Sequence, residues 1–135
     1  MAPSRTPEEL EVLTTIQAFS NAIKDNTPEI LQSLVLPSGS CTRTGINPIS
    51  HVHISVADLV GYISEAAKDG DIEGRFDPEE STVRVDGDLA MVWTAWTSYK
   101  KGEVTHKGSI VFVLAKGKED GEWLIVSNAD NMVAV

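Results

Sequence analysis

Cysteine occurs once, at Cys41, so the chain closes no disulfide within itself and offers no cysteine cluster for zinc. Basic residues are scarce: 11 Lys plus Arg stand against 20 Asp plus Glu, a net charge of −9. Such a field repels phosphate backbones and anionic lipid, which argues against nucleic acid or an electrostatically held membrane as partner. No apolar run approaches the ~20 residues of a membrane span, and Met1-Ala2-Pro3-Ser4-Arg5-Thr6 lacks the apolar core of a secretory leader. A soluble, cytoplasmic protein is the expectation. Reactive motifs are missing too. Gly70-Asp71-Ile72-Glu73-Gly74 has glycines but carries acids, the wrong charge for cradling phosphate, and neither a GxSxG elbow nor a reactive Cys/His pairing occurs. His51-Val52-His53 sets two imidazoles on one side of an extended segment, a spacing that can bind metal. No third ligand accompanies them, so a loop or helix-entry role is expected and no metal site.

What remains is ordinary globular material: 135 residues, 41% hydrophobic and 23% charged, enough for one domain over 1–135 with an ordered core from about 7 to 133. Thr6-Pro7-Glu8-Glu9 is a helix start, with a hydroxyl cap, proline in the first turn and acids at the positive end of the dipole. Leu10, Leu13, Ile16, Phe19, Ala22 and Ile23 follow at three- and four-residue spacing as one apolar stripe. Asp25-Asn26 ends that helix. Thr27-Pro28-Glu29 starts a second, through Ile30, Leu31, Leu34 and Val35, which Pro37-Ser38-Gly39 stops. A short strand over Ser40–Thr44 leads into a loop through Gly45, Asn47 and Pro48. Ser55-Val56-Ala57-Asp58 resembles a capping box and opens a third helix that ends near Lys68-Asp69-Gly70.

From Ile72 to Val85 the pattern is a strand interrupted at Asp77-Pro78. Three longer strands then run over Leu89–Tyr99, Thr105–Ala115 and Glu122–Val133, rich in β-branched and aromatic residues and divided by polar, glycine-bearing turns. Helices first and strands after argue an α+β fold, helices packed on one face of an antiparallel sheet. A two-residue turn at Lys101-Gly102 pairs Tyr99 with Val104, Thr97 with His106 and Trp93 with Ile110. One face then carries Met91, Trp93, Thr97, Tyr99, His106, Ile110, Phe112, Val126, Asn128, Asp130 and Met132. The other carries Val92, Trp96, Val111, Val113, Trp123 and Ile125. One set of helices cannot cover two apolar faces, so the second is expected to bury itself against another copy as a homodimer.

This order, with Glu9–Ile23, Thr27–Leu34, Val85-Asp86-Gly87-Asp88-Leu89-Ala90-Met91-Val92 and Asp120-Gly121-Glu122-Trp123-Leu124-Ile125-Val126 as its carrying phrases, resembles the nuclear-transport-factor-2-like superfamily. Within it the SnoaL-like, polyketide-cyclase-like group is most similar. Val92-Trp93 with His106-Lys107-Gly108 looks most like the lumazine-binding branch. The resemblance implies a cone of curved sheet closed by about three N-terminal helices, with a pocket between them. It implies a small-molecule ligand and chemistry without metal or organic cofactor: isomerisation, cyclisation or rearrangement of a hydrophobic or polycyclic compound, as in natural-product biosynthesis. The superfamily also holds non-catalytic members, so a binding domain and a dimeric association module remain open.

Asp130, in an apolar final strand on the expected pocket face, is the candidate general acid or base, because a carboxylate in apolar surroundings holds its proton to higher pH. Arg43 lies in the short strand that borders the cavity mouth in this fold, placed to hold an enolate or to pair with Asp130. His106, near a turn, and Tyr99 are candidate assistants. Trp93, Tyr62, Phe112, Ile110 and Met132 are candidate walls for a flat ligand, with Asn128 a donor to its carbonyl. Core packing is the competing reading for Phe112 and Trp93. Trp96 and Trp123 fall to the dimer face. The spaced Asp and His of dehydratase-like members are not found.

Overall fold

In the computed structural model, which describes residues 4–46, 49–68, 71–118 and 121–135, the chain folds as α+β with a curved, open, mixed sheet. Helix α1 spans Pro7–Asp25 and is closed at its start by a reciprocal pair: Glu9 N–H donates to Thr6 Oγ1 at 3.1 Å, and Thr6 N–H to the Glu9 carboxylate at 2.8 Å. The backbone bond from Thr6 holds the Glu9 carboxyl below its ordinary range. Its stripe of Val12, Leu13, Ile16, Phe19, Ala22 and Ile23 is buried on the sheet, whereas Leu10 is exposed.

Helix α2, Pro28–Ser33, is one turn shorter than the apolar pattern implies. Leu34 turns its carbonyl to Ile125 N–H at 2.8 Å, and Val35 pairs with Ile125, so the chain enters strand β1, Val35–Ile46. Pro37-Ser38-Gly39 therefore sits inside a strand, in an irregular stretch where β1 advances from Val35 to Ser40 while its neighbour advances from Ile125 to Ser127. A break of this kind is where a sheet tolerates proline. Gly39 backs onto the Val126 carbonyl, in space that a Cβ would need. Gly39→Ala is expected to destabilise the fold by about 1–3 kcal/mol, read as a lowered urea midpoint with an unchanged slope.

Strand β2, Ile49–Ser55, returns as a hairpin on β1, so the short strand expected at Ser40–Thr44 is the middle of a longer one. His51 and His53 belong to β2 rather than to a loop, both exposed, with His53 Nδ1 2.7 Å from Thr42 Oγ1. No metal-ligating cluster exists among the described residues. Asn47-Pro48 and the helix end at Asp69-Gly70 lie outside the described residues. Helix α3, Val56–Lys68, starts where Asp58 N–H donates to Ser55 Oγ at 3.0 Å. Strand β3, Ile72–Arg75, a 3-10 turn at Pro78–Glu80 and strand β4, Thr82–Asp86, follow the interruption read at Asp77-Pro78. Strands β5, Leu89–Lys100, β6, Glu103–Lys116, β7, Trp123–Asp130, and β8, Val133–Ala134, complete the sheet. Its order is β2-β1-β7-β6-β5-β3, with β4 also on β5 and β8 also on β6. The β1–β7 pairing is parallel, so the sheet is not antiparallel throughout.

Two bulges decide which residues face the helices. Tyr99 does pair with Val104, but Ser98 then pairs with His106, leaving Thr105 as the extra residue. Trp93 consequently meets Val111, not Ile110. On β7, Val126 is extra, between Val113–Ser127 and Leu114–Ile125. The helix-covered face therefore holds Val92, Trp96, Trp123 and Ile125, all buried, together with Ile110, Phe112, Asn128, Asp130 and Met132. Met91, Trp93 and Thr97 alternate to the outer face with Val111 and Val113. Trp96 and Trp123 are thus core residues and not a dimer surface. Phe112 is fully buried, edge-on to Phe19 (5.9 Å between centroids) and Trp96 (5.8 Å), and Trp96 stacks on Phe76 at 5.8 Å. No described helix is long and apolar enough to cross a membrane.

Candidate functional site

The parallel register of β1 and β7 sets Cys41 against Asn128 and, two residues on, Arg43 against Asp130. Side chains two residues apart in a strand share a face. Two polar cross-strand pairs are thereby stacked on the concave side. Arg43 grips Asp130 with both arms of its fork, Nε to Oδ1 at 2.7 Å and Nη2 to Oδ2 at 3.3 Å, the bidentate geometry that gives an ion pair direction as well as energy. The Asp130 side chain is 5% exposed and that of Arg43 50% exposed, so the carboxylate is sealed into the wall while the guanidinium reaches toward water. Met132 N–H adds a 3.3 Å contact to Asp130 Oδ1. Among the described residues the Nη1 donors of Arg43 remain uncommitted. One rung deeper, Asn128 Nδ2 donates to Cys41 Sγ at 3.3 Å, and burial raises the thiol above its ordinary range.

These pairs open onto a cavity of about 390 Å³ between the concave sheet and α3, the lower part of the range for small-molecule sites. Leu59, Tyr62, Ile63 and Ala66 of α3 line it at helical spacing, with only Val56 and Val60 of that helix fully buried. The stripe of α3 thus faces the void more than the core. Phe19, Ile23, Trp96, Ile110 and Met132 supply apolar surface opposite. A Cβ on Gly74 would collide with the Trp96 indole, so a glycine there lets the ring lie against β3.

Of the residues singled out in the sequence, Asp130, Arg43, His106, Tyr99, Tyr62, Asn128, Ile110 and Met132 all border this one cavity. His106 sits within β6, paired with Ser98 and Ala134, not at a solvated turn. Two do not border it. Trp93 is 53% exposed on the outer face, because the bulge at Ser98/Tyr99 reverses the phase, and Phe112 lies beneath the cavity floor as core. Trp96, Ile23, Leu59, Ile63 and Glu73 border it without having been singled out. The helical spacing of Leu59, Ile63 and Ala66 carried that signal; nothing local marked Trp96. A larger, open groove of about 1110 Å³ beside the start of α1 and β4 contains none of the candidate residues.

The arrangement defines the class: the fold is NTF2-like. A conserved protein from Planctomyces limnophilus superposes with a TM-score of 0.78 at 16% identity, covering 97% of this chain and 100% of that one. An NTF2-like protein of unknown function from Pseudomonas putida matches at 0.73 and 12% identity, over 96% of this chain and 89% of that one. A candidate dehydratase of the NTF2-like family from Streptomyces avermitilis matches at 0.71 and 17% identity, over 96% and 100%. No family model matches the sequence, and no curated protein does either.

Proposed function

We propose that the cavity binds a hydrophobic or polycyclic small molecule and moves a proton on it, an isomerisation, cyclisation or rearrangement that needs no group beyond the side chains. The carrying observation is the bidentate Arg43–Asp130 pair at a cavity whose walls include Phe19, Ile63, Trp96, Ile110 and Met132. Asp130 takes a proton from carbon next to a carbonyl. The free side of Arg43 holds the oxygen on which charge develops, a stabilisation that strengthens where water is excluded. His106, paired with Ser98 on the cavity side of the sheet, returns a proton elsewhere. The candidate dehydratase among the structural neighbours supports an enzyme reading, and a place in natural-product biosynthesis and in the cytoplasm belongs to the same proposal.

The test uses cyclic ketones with two or three rings in D2O. The protein is expected to speed exchange of their α-protons, followed by NMR, and Asp130→Asn to lose that effect while still binding. Equal binding with no exchange by the wild type makes the domain a binder and not a catalyst.

The outer sheet face supports a second copy as partner. Leu89 and Trp93 are each 53% exposed there, with Met91, Val111 and Val113 beside them, an apolar area that a monomer rarely leaves in water. Trp93→Glu is expected to give a monomer by sedimentation equilibrium where the wild type is a dimer. A wild type that is monomeric at high concentration ends this part of the proposal.

A further inference from the structure

His106 has a polar neighbour of its own in the cavity. It pairs with Ser98 across β6 and β5, and both residues border the space. Alternation puts both side chains on the concave face: Ser98 lies two residues beyond the buried Trp96, and His106 four before the buried Ile110. The bulge at Thr105 falls just outside this row, so His106 keeps the phase of Ile110. Directly opposite residues in antiparallel strands have Cβ atoms about 5 Å apart, so one ligand atom can meet both. Gly74 flanks Ser98 and Ala134 flanks His106 in the same row, so no long side chain of that row leans over the pair. Thr105 Oγ1 donates to the Ser98 carbonyl at 3.2 Å, and among the described residues neither the Ser98 hydroxyl nor the His106 ring has a hydrogen-bond partner.

The next row inward pairs Trp96 with Gly108, and the backbone of Met132 lies so close to Gly108 that a Cβ there would meet it. The row after that holds Ile110 and Asp130, with Arg43 beyond. Trp96 and Met132, which both line the cavity, thus form an apolar span between two polar pairs. From His106 to Ile110 is about 13 Å along the strand at the usual rise, and the side chains at the two ends take up part of it. Resting on the proposed function, we infer that the ligand is a flat compound of two fused rings running along β6. Arg43 holds a carbonyl or carboxylate oxygen at one end, and Ser98 and His106 share a hydroxyl at the other. A hydroxyl donates to an imidazole nitrogen and accepts from the serine hydroxyl at once, which satisfies both partners. A methyl group in its place leaves two polar groups facing carbon, the mismatch that such a site rejects.

Three probes differ at that end alone: 2-naphthoate, 6-methyl-2-naphthoate and 6-hydroxy-2-naphthoate, titrated by calorimetry. The wild type is expected to bind the hydroxy compound about tenfold more tightly than its methyl isostere. Ser98→Ala and His106→Leu are each expected to cut that preference to about threefold or less, with the affinity for 2-naphthoate unchanged. Ser98→Thr keeps the hydroxyl and retains the preference. Arg43→Ala weakens all three compounds and leaves the preference in place; paired with Asp130→Asn, which removes the unpaired charge, it gives the same result if the single variant does not fold. Ser98→Ala, the loss of one oxygen, decides alone if His106→Leu does not fold. Arg43-dependent binding without the hydroxyl preference, or with a preference that survives in either variant, overturns the second end alone. Naphthoates that do not bind, or bind regardless of Arg43, overturn the proposed site and this inference with it.

Discussion

Phe112→Ala is expected to cost about 3–5 kcal/mol, the range for removing a fully buried aromatic ring. The ring is at zero exposure in the middle of the helix-covered face, wedged edge-on between Phe19 of α1 and Trp96 of β5. It therefore joins the first helix to the central hairpin, and neither neighbour can collapse into the space without leaving its own strand or helix. A domain of this size has only about 5–15 kcal/mol in hand, so the variant should unfold at much lower urea, or fail to fold at 37 °C. Trp93→Ala, a larger side chain by volume, should cost little in the monomer, since half of it already meets water. A Phe112 variant as stable as wild type would mean that the two bulges are placed wrongly and the faces exchanged.

Asp130→Asn should lower α-proton exchange on a bound ketone by about 10²–10⁴-fold, the usual contribution of a positioned general base. The amide is close to the same size and still accepts from Arg43 Nε and Met132 N–H through its oxygen, the contacts now at 2.7 and 3.3 Å. Folding and ligand affinity should survive, because the half-exposed Arg43 loses a partner but not its water. Arg43→Ala is the harsher change for the structure, as it leaves a 5%-exposed carboxylate without its counter-charge. Loss of exchange with retained binding separates a base from a mere wall residue.

Helix starts were legible because capping chemistry is local: Thr6, Pro7 and Glu9 lie within four residues and make their bonds among themselves. The interruption at Asp77-Pro78 was legible for the same reason, with Asp77 accepting from Glu79 N–H at 2.9 Å. The phase of the sheet was not. Along β5, Ala90, Val92, Thr94 and Trp96 alternate with Leu89, Met91, Trp93 and Ala95, so both faces read as apolar and alternation cannot choose between them. One extra residue, Thr105, then exchanges the faces. The second helix was overrun because Leu34 and Val35 continue its apolar spacing, while the bond that ends it comes from Ile125, far along the chain. The pairing of Arg43 with Asp130 was open to expectation only through the fold resemblance, which put Arg43 at the cavity mouth. Their pairing is a parallel contact across 87 positions of sequence, set by topology and not by spacing.

The most direct measurement is a crystal structure grown with a panel of two- and three-ring aromatic ketones and acids. A compound is expected inside the space bounded by α3 and the concave sheet, with a ligand oxygen within hydrogen-bond reach of Arg43 and a neighbouring carbon against Asp130. A cone filled by its own side chains, or compounds bound only to the outer face around Trp93, would contradict it.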